Sequence, residues 1–128
     1  MTVVRFVAPW ALLGILGCAA VPTADGERLR LTSDEFREYV ERVFREQNRV
    51  ADALAFALEA PGAGRDALAA AEQRLLESCA AVNELATARR DEQSLGVRRN
   101  LSAARTVPQC EEAARAAAAS LGETSDPP

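Results

Sequence analysis

Three kinds of side chain set what chemistry this chain can attempt. There are thiols at Cys18, Cys79 and Cys110, hydroxyls such as Ser78 and Ser102, and carboxylates grouped at Asp34, Glu35 and Glu38 and again at Glu111 and Glu112. A serine or cysteine nucleophile needs a base beside it, most often histidine. The chain has no histidine, and all 15 basic residues are arginine, so there is no lysine for a Schiff base either. The carboxylates fall where helix starts use them, for capping and to complement the helix dipole. No glycine-rich phosphate loop and no metal-ligand spacing occurs. The expectation is a protein that is not an enzyme, with no catalytic residue, no metal and no cofactor. The thiols are the groups left to explain, by lipid attachment or by a disulfide.

Cys18 closes the most apolar stretch of the chain. Arg5 is followed by an uncharged run from Phe6 to Gly17, the charged-then-apolar order of a secretory signal. Phe6 to Val21 is shorter than the roughly 20 residues that span a bilayer, and Pro9 interrupts it. The run ends in Ile15-Leu16-Gly17-Cys18, which resembles the lipobox of bacterial lipoproteins. That resemblance covers the first 18 residues only. It implies that residues 1–17 are a signal peptide, that diacylglycerol is joined to the Cys18 thiol, and that the new amino terminus takes a fatty acyl chain such as palmitate. Ala19, in place of an aspartate, implies the outer membrane, with the domain facing the periplasm. Each buried methylene of such an anchor contributes about 0.8 kcal/mol, so several chains hold where one lets go.

With Cys18 occupied by lipid, Cys79 and Cys110 remain, and an even count in an exported chain reads as a disulfide. Their separation is far from the C-x-x-C spacing of redox pairs, so the expected role is structural.

The elements around these groups follow from pattern. The chain's 128 residues suffice for one domain, and a composition 48% hydrophobic but only 5% aromatic, rich in alanine, suits packed helices better than sheet. Residues 18–30, with Pro22 and Gly26, read as a lipidated tether. Residues 31–122 read as a helical domain and 123–128 as a disordered tail. In "LTSDEF", Thr32 with Glu35 forms a capping box, and Leu31 with Phe36 a hydrophobic staple. Apolar residues at 36, 40, 43, 50, 54 and 58, with Gln47 in the gap, mark one stripe of a helix. "APGAG" at 60–64 ends it. A second helix is predicted over Arg65 to Arg90, with Leu68, Ala71, Leu75, Cys79, Val82 and Ala86 on one face. A short helix around 96–106 and a last one beginning near Pro108 and stopped by Gly122 complete the chain. The fold class expected is all-α, a small antiparallel bundle of three or four helices with one disulfide.

Two features offer binding. Phe56 falls about 200° round the first helix from Phe36; it is expected to pack under the loop after the second helix or against the last one, and otherwise to anchor a partner. Arg89, Arg90, Arg98, Arg99 and Arg105 form a basic group relieved only by Asp91 and Glu92. A net charge of −4 excludes nucleic acid as the natural partner. In size, anchor and helical content the chain resembles the pilotins that escort secretins, so the expected function is an outer-membrane lipoprotein that binds or positions another envelope protein. The alternative is an arginine-based module for lipopolysaccharide, phospholipid or peptidoglycan.

Overall fold

A computed structural model describes residues 19–125; the signal peptide expected at 1–17, the lipobox and Cys18 lie outside the described residues, as do 126–128. Three helices, α1 (Asp34–Glu59), α2 (Arg65–Arg90) and α3 (Gly96–Ser125), follow two short strands, β1 (Ala20–Pro22) and β2 (Arg28–Arg30). The helices pack as a bundle stapled by a disulfide, as the composition and cysteine count predict.

α1 begins one residue later than the capping box implies. Ser33, not Thr32, is the N-cap, and its hydroxyl accepts a hydrogen bond from the Phe36 amide at 3.1 Å. Asp34 and Glu35 occupy the first turn, where the free amides and the dipole favour negative charge. Ser33→Ala is therefore expected to cost about 1 kcal/mol in urea unfolding, and Thr32→Ala less than about 0.5 kcal/mol. The buried stripe of α1 is Phe36, Tyr39, Val40, Val43, Gln47, Val50 and Leu54, with Leu58 half-buried at its end. Gln47 holds its place in the core because its side-chain amide donates to Asn83 on α2.

Pro61 and Gly62 interrupt the helical ladder, and Gly64 takes a left-handed φ of 87° as the residue before α2. α2 has the predicted limits and buries Leu68, Ala71, Leu75, Cys79 and Val82, adding Leu85 and Ala88, while Ala86 is only half-buried. Its stripe is broad because α2 packs against both other helices. The most extensive contact is with α3. There the Cys79–Cys110 disulfide brings Cα atoms to 4.6 Å, and Ala104, Ala114 and Ala117 keep side-chain volume low.

α3 corrects two expectations. It is one helix rather than two, running straight through Pro108, and it passes Gly122 to reach Ser125, so the tail expected from 123 begins as helix. A proline inside a helix costs about 3 kcal/mol. Here the buried stripe Ala103, Ala104, Val107, Cys110, Ala114 and Ala117 stays in phase across the proline, and its burial outweighs the local preference.

The tether is corrected as well. From residue 20 the segment is an antiparallel hairpin with Ala20 opposite Arg30 and Pro22 opposite Arg28. Its loop is closed by the Thr23 amide donating to the Glu27 carbonyl at 2.7 Å and the Gly26 amide donating to the Thr23 carbonyl at 3.0 Å, with Gly26 left-handed at φ 85°. The strands alternate: Val21 points inward and is 2% exposed, Leu29 packs on the core beside it, and Pro22, Arg28 and Arg30 face out. β1 touches α3 and β2 touches α1. No helix among the described residues is long and apolar enough to cross a membrane.

Candidate functional site

Where the hairpin, α1 and α3 meet, four charged side chains and a phenol converge. Glu111 sits midway along α3, one turn after Val107 and in phase with the buried stripe, and only 4% of its side chain is exposed. Burial pushes a carboxyl pKa up, because the charged form loses hydration. Three donors reverse that effect. Arg42 of α1 donates to Oε1 at 2.8 Å, the Tyr39 hydroxyl donates to Oε2 at 2.8 Å, and Arg115, one helical turn on, donates to Oε1 at 2.7 Å. Together they hold the Glu111 carboxyl below the usual glutamate range. Burial, and then Glu111 itself, raises the Tyr39 hydroxyl well above the ordinary phenol value. The Arg42 guanidinium also lies over the Tyr39 ring, 5.2 Å from its centroid.

Arg115 carries the network into the hairpin. Its guanidinium grips Asp25 in the loop through two hydrogen bonds of 2.9 and 3.1 Å, and that pairing lowers the Asp25 carboxyl. One buried carboxylate thus fastens three elements. Both Glu111 oxygens are taken by donors, so the arrangement is built to hold position rather than to move a proton. The sequence reading placed Glu111 at a helix start and missed this role. The available signal was a carboxylate inside an apolar 3–4 repeat, four residues before an arginine.

Two depressions flank the clamp. One of about 530 Å³ lies between the hairpin and α1, with Thr23, Asp25, Leu29, Tyr39 and Arg42 in its wall. The other, about 420 Å³, lies between α1 and α3 and is bordered by Arg42, Arg45, Arg49 and Arg115. Each of these arginines is engaged: Arg49 with Glu46 at 2.6 Å, Arg45 with Glu41 at 3.8 Å, and the other two with Glu111. Arg115 also pairs with Asp25, so the four arginines are matched by four carboxylates, Glu41, Glu46, Glu111 and Asp25.

The predicted arginine group lies at the corner between α2 and α3. Arg89 and Arg90 end α2, Arg98 and Arg99 begin α3, and Arg105 lies about 10 Å further along α3. All five are exposed. Arg90 pairs with Asp91 at 3.1 Å and Arg99 with Glu84 at 3.2 Å, while Arg89, Arg98 and Arg105 make no ion pair among the described residues. Val97, in the same turn as Arg98, is 83% exposed.

Phe56 does not pack under a loop or against α3. It is 78% exposed, on the side of α1 facing away from the buried stripe. Leu76 on α2 is also exposed, at 54%. Among the described residues no group of three or more histidine, cysteine, aspartate or glutamate side chains is placed to hold a metal. No protein-family model, curated protein or solved structure matches this chain.

Proposed function

We propose that this chain is a lipoprotein of the bacterial outer membrane, anchored through Cys18, whose periplasmic helical bundle binds or positions another envelope protein without catalysing a reaction. The observation that carries the adaptor reading is Phe56. A phenylalanine 78% exposed on a helix contributes nothing to the core beneath it, yet burying it in a partner is worth about 1.5–3 kcal/mol. Aromatic anchors of this kind dominate many interfaces. The anchor reading rests on the Ile15-Leu16-Gly17-Cys18 sequence.

A photo-crosslinking residue in place of Phe56, in the native envelope, is expected to capture one dominant envelope protein, while the same residue in place of exposed Ala69 captures none. Phe56→Ser is expected to lower co-purification of that protein at least tenfold and to change unfolding free energy by less than about 0.5 kcal/mol. Equal crosslinking from both positions would sink the reading.

The unpaired Arg89, Arg98 and Arg105 favour a second reading, an anion-binding corner for lipopolysaccharide, phospholipid or peptidoglycan. Binding that falls steeply with added salt and is lost in Arg98→Ala/Arg99→Ala supports it; indifference to both removes it.

A further inference from the structure

We infer that the β1–β2 hairpin is the face by which the domain rests on the membrane, with Arg28 and Arg30 engaging the phosphates of anionic phospholipid headgroups. This rests on the anchor reading for Cys18. The argument starts from the length of chain left between that residue and the body. A free tether over residues 18–30 would let the domain wander roughly 20 Å from its anchor. The hairpin removes that freedom. The Ala19 carbonyl accepts a hydrogen bond from the Leu31 amide at 3.2 Å, Val21 is buried, and the loop is held through Asp25 by Arg115. Only about one residue, or 3–4 Å of chain, separates the anchor residue from folded structure. Acyl chains at Cys18 would bring the hairpin to the headgroups, well inside the Debye length of about 8 Å at physiological salt.

The exposed face of the hairpin is suited to that place. Arg30 stands opposite Ala20 and Arg28 opposite Pro22, both arginines are exposed, and neither makes an ion pair among the described residues. Of the nearby acids, Asp25 is committed to Arg115 and Asp34 to Arg37 at 2.5 Å. Exposed Glu27, Glu35 and Glu38, which line the depression between the hairpin and α1, make no ion pair among the described residues and are the local opposition. Each arginine near an anionic surface improves partition about fivefold. The consequence for the adaptor is orientation: Phe56 lies about 25 Å along α1 from Tyr39, the residue beside the hairpin loop.

Tryptophan quenching tests this directly, because the sole tryptophan, Trp10, lies in the segment that signal cleavage removes. Lipidated full-length protein carrying P22W or A69W is reconstituted in vesicles of phosphatidylethanolamine and phosphatidylglycerol, with acyl chains brominated near the headgroup. The tryptophan of P22W is expected to be quenched at least threefold more than that of A69W. Adding R28Q/R30Q, or using phosphatidylcholine alone, is expected to shift the docked-to-undocked ratio about 25-fold toward undocked. Equal quenching at the two positions, or quenching of P22W indifferent to R28Q/R30Q, overturns the proposal. Vesicle flotation separates this from the premise. A Cys18→Ser chain that floats like wild type removes the lipid anchor, whereas wild type that floats with equal quenching removes only the docking face.

Discussion

Cys79→Ala/Cys110→Ala is expected to lower the thermal midpoint by about 15 °C or more. The bridge joins residues 31 apart. Closing a loop of that length removes denatured-state entropy worth about 3–4 kcal/mol. In a domain of about a hundred residues, each kcal/mol moves the midpoint by roughly 4–5 °C. Two further costs add to the entropic one. Both sulfurs are fully buried among Leu75, Val82, Val107 and Ala114, so alanine leaves a void. The bridge also lies two residues after Pro108, where α3 lacks one of its own amide donors. Circular dichroism melts of wild type, reduced wild type and the double variant separate these terms. Reduction alone should recover the entropic part, and the variant should melt below the reduced protein. Because the sulfurs are buried, reductant should act at the rate of opening of the α2–α3 contact, with native protein resisting it for long periods. A midpoint shift below about 5 °C in the double variant would show that the helices are held by packing alone.

The same packing explains which parts of the fold were legible in the sequence. The limits of α2 were readable because Pro61, Gly62 and Gly64 break the chain on one side and the apolar 3–4 repeat fades on the other. The start of α1 was readable to within one residue, since Thr32 and Ser33 both carry a hydroxyl and only the backbone at Ser33 presents it to the Phe36 amide. Pro108 misled because local propensity speaks for one residue, whereas a stripe from Ala103 to Ala117 sums burial over four turns. The hairpin was hidden for the opposite reason. Strands of three residues leave one inward side chain each, Val21 and Leu29, too few to show a period of two. Of the candidate binding residues, the arginine corner is exposed as the charge pattern implied. Phe56 departs from the expected burial because no element of the described chain passes over that side of α1. Of the clamp at Glu111, the pairing with Arg115 one turn on was legible from spacing, whereas Asp25, Tyr39 and Arg42 are distant in sequence and only the fold brings them there.

That clamp gives the fold a specific pH dependence. Glu111→Gln is expected to cost about 1–2 kcal/mol at pH 7, since it exchanges charge-assisted hydrogen bonds for neutral ones at a buried position. The cost stays below that of breaking a fully buried ion pair, because Arg42 and Arg115 are half-exposed and regain water when their partner changes. Tyr39→Phe removes the bond to Oε2 and should cost about 1 kcal/mol. Combining the two should cost less than the sum of the single changes, as expected for groups sharing one network. The sign of the pH effect follows from the direction of the shift. Glu111 is held below the glutamate value of 4.5 in the folded protein, so the unfolded chain takes up the proton first as pH falls. Its stabilisation is fully present above that value and disappears as pH drops through the folded-state value. Urea unfolding from pH 7 to pH 3 should therefore show wild type and Glu111→Gln converging in acid, with wild type losing its advantage below about 4.5. Asp25, also lowered by Arg115, titrates in the same direction, so Asp25→Asn in both backgrounds isolates the Glu111 contribution. Curves that stay parallel to pH 3 would mean that Glu111 acts by shape rather than charge, leaving the Arg115–Asp25 pair and the packing of Val21 to fasten the hairpin to α3.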